Sequence, residues 1–145
     1  MAVIIRDESV NADVPWLTPP RNRDSGFFWE GAALGELRIQ RCTSCQALRH
    51  PPRPCCPKCL SFDWDYVVAA GTGTIVSFAI YHYPPMPPLE LPLAIALVEL
   101  TEGTRVVGNV IGIEPSEVAI DQQVTVEFHQ VDSQLVLPQW RPVSS

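Results

Sequence analysis

The chain has 145 residues, enough for one domain with its own core or for a small module joined to a domain of about 80 to 100 residues. Its 46% hydrophobic content is that of a globular protein, and no apolar run reaches the roughly 18 residues of a membrane-spanning helix. A net charge of −6 argues against general nucleic-acid binding, and its distribution is uneven: residues 1–37 sum to −3, residues 38–60 to +5 and residues 61–145 to −8.

Residues 1–22 mix short apolar stretches with charges and end in Thr18-Pro19-Pro20-Arg21, where proline blocks a continuous helix. An extended arm is expected there, with Trp16 and Leu17 as its docking residues. The apolar run from Met1 to Ile5 stops at Arg6 and Asp7, too soon for a secretory leader, so cytoplasm is the expected compartment. Residues 23–36 should hold a short helix that Asp24 or Ser25 can cap and Gly35 ends. It carries Phe27, Phe28 and Trp29 in succession. Either two of these pack and one is exposed, or the helix offers an apolar contact surface through Phe28 and Trp29.

Leu37 to Arg41 alternates as a strand and leads into Cys42-Thr43-Ser44-Cys45, followed ten residues later by Cys56-Pro57-Lys58-Cys59. Two CxxC pairs at this separation set four thiolates on facing knuckles, the tetrahedral soft-ligand set of Zn2+. Two disulfides would need an oxidising compartment, and a redox CxxC normally occurs once, beside a βαβ pattern that is missing here. A zinc ribbon is therefore expected over residues 37–62, with one ion held by Cys42, Cys45, Cys56 and Cys59. Four thiolates close the coordination sphere, which makes the expected role structural. Cys55 falls outside the CxxC spacing and is read as packed. The connector His50-Pro51-Pro52-Arg53-Pro54 is too rich in proline for regular pairing. Arg38, Arg41, Arg49, Arg53 and Lys58 offset the −2 of a zinc tetrathiolate, and the surplus suits phosphates or the acids of a partner.

Beyond the ribbon the apolar period becomes two, with strands expected over residues 64–68, 74–83, 93–100, 105–113, 124–129 and 135–137. Gly108 and Gly112 suggest bends, and Glu114 to Val118 can supply only a helical turn. The fold is thus mainly β: a five- to six-stranded barrel of the OB type over residues 63–142, with an SH3-like barrel as the alternative and a tail over residues 143–145. Between the second and third of these strands, Pro84 to Pro92 holds five prolines and carries Met86, Leu89 and Leu91. This stiff loop either folds over a barrel end or meets a partner. His50, His82 and His129 lie in the connector and in two strands without a catalytic motif, although His82 and His129 can meet across the barrel. No residue is assigned a catalytic role.

Several of these stretches, in order, resemble a known family: the thiolase-associated proteins that join a rubredoxin-like zinc ribbon to an OB-fold, domain of unknown function 35. The likeness covers about residues 27–142 and rests on Phe28-Trp29-Glu30, Gln40 to Cys45, Pro51-Pro52-Arg53 before Cys56 to Cys59, Gly71 to Thr74, Val98-Glu99-Leu100, Val107-Gly108-Asn109 and Trp140-Arg141-Pro142. Leu60 stands where the family usually has glycine, and Trp140 where it often has phenylalanine. The resemblance implies a non-catalytic accessory subunit that binds a thiolase-fold acyl-CoA enzyme in a hetero-oligomer and helps form its acyl-CoA channel. Leu48-Arg49-His50-Pro51-Pro52, Trp64-Asp65 and the run from Ser77 to His82 are most similar to the branch paired with a thiolase-like aldolase of steroid side-chain degradation. That partner cleaves a β-hydroxyacyl-CoA. A single-strand nucleic-acid binder is the alternative for an OB barrel with a zinc ribbon, but Phe78, Tyr81, Tyr83 and Phe128 lack basic neighbours. An autonomous CoA-dependent enzyme is a third reading.

Overall fold

The computed structural model describes residues 3–6 and 16–144, so half of the arm expected over residues 1–22, residues 1, 2 and 7–15, lies outside it. Its first described segment, β1 (Ile4–Arg6), is a short strand, and the helix α1 spans Gly26–Ala33. Ser25 stands at the N-cap of α1 without capping it, because its Oγ donates to the Pro20 carbonyl. Asn22 orders the entry turn instead, its Oδ1 accepting from the backbone N–H groups of Asp24 and Ser25. At the other end Gly35 takes φ 74°, and the N–H groups of Gly35 and Glu36 return to the carbonyls of Ala32 and Gly31. This is the Schellman arrangement that a left-handed glycine permits.

The ribbon sheet follows, made of β2 (Arg38–Cys42), β3 (Leu48–Arg49) and β4 (Trp64–Val68), all antiparallel with β2 in the centre. By sequence β4 opens the barrel. The structure corrects this: β4 pairs with β2 along its whole length, with Arg41 opposite Asp65 and Cys42 opposite Trp64.

The barrel is built from β5 (Thr72–Tyr81), β6 (Leu93–Leu100), β7 (Arg105–Asn109), β8 (Gln123–Gln130) and β9 (Val136–Pro142), with one 3-10 turn at Pro115–Glu117. Strand β6 is central and flanked by β5 and β7, β5 joins β8, and β9 lies along the other side of β8. The end of β7 then meets β9, where Val110 bridges Trp140 in parallel and the Ile111 N–H donates to the Trp140 carbonyl at 2.8 Å. The path β5, β6, β7, β9, β8 and back to β5 is the OB arrangement and not the SH3-like one. Strand β5 can serve two neighbours because a bulge between Ile75 and Ser77 bends it. Beyond Thr72 the edge of β8 is taken by β1, in parallel, with Ile4 opposite Phe128.

Inner positions alternate as a half-buried strand requires: Ala94, Ala96, Val98 and Leu100 of β6 are buried, as are Val124 and Phe128 of β8. Trp140 is the largest fully buried side chain, and Gly108 makes room for it, since a Cβ there would lie 2.7 Å from Trp140 Nε1. The core is continuous across the modules. Phe28 and Ala32 of α1 and Leu37 and Ile39 at the start of the ribbon join Ile75, Val98, Phe128 and Trp140 of the barrel in one cluster. The helix is thus a wedge between ribbon and barrel.

Candidate functional site

The four knuckle cysteines converge, with all four Sγ atoms within 4.8 Å of one another. Cys42 and Cys59 lie 3.5 Å apart through their sulfurs, and Cys45 and Cys56 lie 3.6 Å apart. Metal–sulfur bonds of about 2.3 Å in a tetrahedron require sulfur–sulfur edges of roughly 3.8 Å, so the donor set fits a four-coordinate metal ion.

The local chain explains why they meet. In the first knuckle the Gln46 N–H donates to the Cys42 carbonyl and the Cys42 N–H to the Ala47 carbonyl; in the second, Leu60 repeats the first bond with Cys56 and Cys56 the other with Ser61, all four at 2.9 Å. The residue after each CxxC turns left-handed, Gln46 at φ 66° and Leu60 at φ 65°. Leucine in place of the usual glycine therefore leaves the knuckle turn intact. The Cys45 and Ser44 N–H groups bring the Cys42 thiol down to about 6, and those of Cys59 and Lys58 lower Cys56 in the same way. At Cys59 the Ser61 N–H pulls downward, but the neighbouring thiols, Cys42 foremost, push the proton up to about 12. Such a set ionises fully only when a cation takes the place of its protons. Cys55 stands apart, half-buried, with its thiol toward the Cys56 carbonyl.

The basic island is largely engaged. Arg41 forms a bidentate pair with Asp65 at 2.8 and 2.6 Å, which raises the arginine and lowers the carboxyl. Arg38 pairs with Glu36 at 2.8 Å, lies 4.5 Å over the Tyr66 ring and runs its stem against Gly31. Arg49 is buried and ties the proline connector down, with Nε on Gln40 Oε1 and Nη2 on the Arg53 carbonyl. Arg53 and Lys58 are exposed, and neither forms an ion pair among the described residues.

None of the three helix aromatics is left exposed. Phe28 is buried, in contact with Trp29 edge-on and with His50, while Phe27 packs on Trp64 and Tyr66 of β4. Phe28 thus anchors the helix and offers no contact surface, and Trp29 is half-buried. Strand β4 presents the Trp64 and Tyr66 rings to the helix, which is why a helix this short can seat three rings.

The proline loop folds over one end of the barrel and encloses a cleft of about 820 Å³. Met86, Leu89 and Leu91 form one wall and Trp16 part of the rim; His129, Gln139 and Arg141 come from the barrel floor, with His82 alongside. His82 and His129 therefore share this cleft. Sequence reasoning missed Gln139 and the network beneath it, in which Glu127 accepts from Arg141 Nε and Nη2 and meets His129 Nε2 at 3.0 Å. The Arg141 guanidinium, with burial opposing it and His129 adding to it, holds the Glu127 carboxyl below its ordinary range. The available signal was the register of two strands, which pairs Glu127 with Gln139 and Thr125 with Arg141.

Comparisons with known proteins agree with this architecture. A family model described as the rubredoxin-like zinc ribbon domain of ChsH2 matches residues 29–65, and one described as the C-terminal OB-fold domain of ChsH2 matches residues 66–129. A probable enoyl-CoA hydratase alpha subunit of Thermomonospora curvata is 52% identical over 124 residues, 86% of this chain and 39% of the relative. The 3-oxo-4,17-pregnadiene-20-carboxyl-CoA hydratase alpha subunit of Mycobacterium tuberculosis is 43% identical, over 77% of this chain and 36% of the relative. The chain thus spans less than two-fifths of either. A solved structure described as the Ltp2-ChsH2(DUF35) aldolase superposes with a TM-score of 0.82 at 51% identity, covering 86% of this chain and 98% of that one. A DUF35 protein of unknown function from Sulfolobus solfataricus shares the fold, with a TM-score of 0.58 at 16% identity. The chain belongs to the ChsH2 family of DUF35 proteins, in which a rubredoxin-like zinc ribbon precedes an OB-fold.

Proposed function

We propose that this chain is a non-catalytic subunit that binds a thiolase-fold acyl-CoA enzyme, an aldolase cleaving a β-hydroxyacyl-CoA from a steroid side chain, and helps to form its acyl-CoA channel. The observation that carries this reading is the near-complete coverage, at 51% identity, of a chain solved as the Ltp2-ChsH2(DUF35) aldolase. A scaffold role is supported by a second relative, a DUF35 domain-containing scaffold protein of Methanocaldococcus jannaschii, 30% identical over 93 residues. The disposition of the histidines also favours a partner with its own chemistry. His50 is half-buried against the Phe28 ring and held neutral, and His129 is turned to Glu127.

The metal in this reading is one structural Zn2+ per chain, bound by Cys42, Cys45, Cys56 and Cys59. When bound it supplies a closed tetrahedral cross-link between the two knuckles. Thiolate ligation of this kind suits the reducing cytoplasm. Arg53 and Lys58 are the cations left free for CoA phosphates or for acids of the partner, whereas Arg38, Arg41 and Arg49 hold the ribbon itself.

Tagged chain expressed in its native cell and examined by native mass spectrometry tests the reading. A thiolase-fold protein in fixed ratio, with one zinc per copy of this chain, is the expected result. Recovery of nucleic acid, or of the chain as a lone monomer, overturns it.

A further inference from the structure

We infer that the open edge of β4, together with Leu60 and Phe62 at the second knuckle, is where the partner enzyme adds an extended strand of its own. That such a partner exists rests on the proposed function; the surface and the mode of contact go beyond it.

Strand β4 is the outer strand of the ribbon sheet, with β2 on one side and no strand on the other among the described residues. Two hydrogen bonds at the ends of the pair set its phase: the Thr43 N–H donates to the Asp63 carbonyl at 3.2 Å, and the Ala69 N–H to the Leu37 carbonyl at 2.8 Å. Bonded positions alternate in an antiparallel ladder. Asp65 and Val67 therefore turn their N–H and C=O groups to β2, while Trp64, Tyr66 and Val68 turn theirs away. No turn, loop or cap among the described residues bonds to these outward groups. What completes such an edge is another strand laid along it.

The side chains carry the same pattern. Every second residue from Leu60 to Val68 is large and apolar: Leu60, Phe62, Trp64, Tyr66 and Val68. Phe27 covers part of Trp64, and the other four are exposed. The apolar contact surface expected of the helix thus lies on the strand beside it. Leu60 adds a separate sign, because its backbone is left-handed at φ 65°, which glycine adopts without strain and leucine does not. In the free chain its exposed side chain packs on little that could offset this. A partner packed on that side chain accounts for a leucine held there.

A second copy of this chain does not fit the edge. Two copies paired antiparallel about Tyr66 would set Leu60 of one opposite Thr72 of the other, and Thr72 is already bonded to Thr101 on one side and paired with Thr125 on the other. The knuckle of the second copy would meet the closed barrel. A strand at the border of another protein can run the whole way from Val68 to Leu60. Lys58 is exposed and forms no ion pair among the described residues, so an acid is expected where that strand passes the knuckle.

The test uses the thiolase-fold enzyme that the tagged chain recovers in fixed ratio, purified and presented to the metal-loaded chain in biolayer interferometry. Phe62→Ser should weaken binding at least about tenfold, the scale of one buried aromatic anchor. Leu60→Gly should weaken it several-fold while raising the urea midpoint of the free chain, so that affinity and stability move in opposite directions. Hydrogen exchange reads the ladder itself. In the free chain the Tyr66 and Val68 amides should exchange at least about tenfold faster than those of Asp65 and Val67, and in the complex that difference should close. Should Phe62→Ser fail to fold, Leu60→Gly and the exchange pattern still decide. The assignment is overturned by affinities that both substitutions leave unchanged, by Tyr66 and Val68 amides that stay fast in the complex, or by a free chain that is a dimer and becomes a monomer with Phe62→Ser. An enzyme still captured in these cases leaves the accessory-subunit reading standing. A wild-type chain that captures no enzyme sinks that reading and this assignment together.

Discussion

Leu60 holds a left-handed backbone that costs an L-residue about 1–2 kcal/mol, and its side chain is 71% exposed, so little packing offsets that strain. Leu60→Gly should therefore stabilise the metal-loaded protein by about 0.5–1 kcal/mol in urea unfolding, after allowing for the looser unfolded chain. An unchanged or lower midpoint would mean that the leucine packs in solution. Gln46 shares the backbone angle, but its Nε2 donates to the Thr43 carbonyl at 3.0 Å and closes its own knuckle. His50 makes a second residue-level case. Burial lowers it to about 4, so the folded state excludes a proton that the unfolded chain accepts from about pH 6.5 downward. Its contribution is intact above that value and is lost progressively as the pH falls toward 4. Wild type should lose about 2 kcal/mol more than His50→Phe between pH 7 and pH 5, measured as the difference in urea midpoints. Equal losses would place the acid sensitivity elsewhere. The four cysteines were legible from spacing alone, because tetrahedral ligation dictates it. The left-handed positions were not, because neither glutamine nor leucine announces a positive φ.

Elements were legible where the apolar period was local. Strand β6 stands at the residues expected for it, since Leu93–Leu100 is apolar on both faces but for Glu99, and Ala94, Ala96, Val98 and Leu100 are its buried side. Strand β9 is longer than the expected segment over residues 135–137, because Pro138 and Pro142 conceal a strand whose outer side needs few N–H donors. The segment expected to run to Ile113 ends at Asn109, and Gly112 then turns at φ 74° against the Arg141 side chain. The assignment of β4 to the barrel failed for a different reason. Alternation shows that a strand exists but is silent on its partner, and here the partner was chosen by the Arg41–Asp65 pair and by the stack of Phe27 on Trp64 and Tyr66.

For the whole molecule, the choice between OB and SH3-like barrels depended on contacts between distant strands, such as the bridge from Val110 to Trp140, which periodicity does not encode. The same non-local packing has a thermodynamic consequence. Because Phe28, Leu37 and Ile39 share one core with Ile75 and Trp140, the ribbon is not free to melt alone. Removing the metal with a chelator should lower the melting temperature of the entire chain by at least about 10 °C in a single transition, followed by tryptophan fluorescence and circular dichroism together. Two separate transitions, with the later one unmoved by the chelator, would show ribbon and barrel to be independent.

Strand β1 bears on the order in which this protein can assemble. Its partner in β8 lies 124 residues further along the chain, Ile4 beside Phe128, and the two run parallel, so no local hairpin can bring them together. During synthesis Ile4–Arg6 is made well before its partner and finds no lasting place until β8 has followed it. The first described strand is thus made long before it can be seated, and until it is, the second half of β8 keeps an open edge to which other chains can pair.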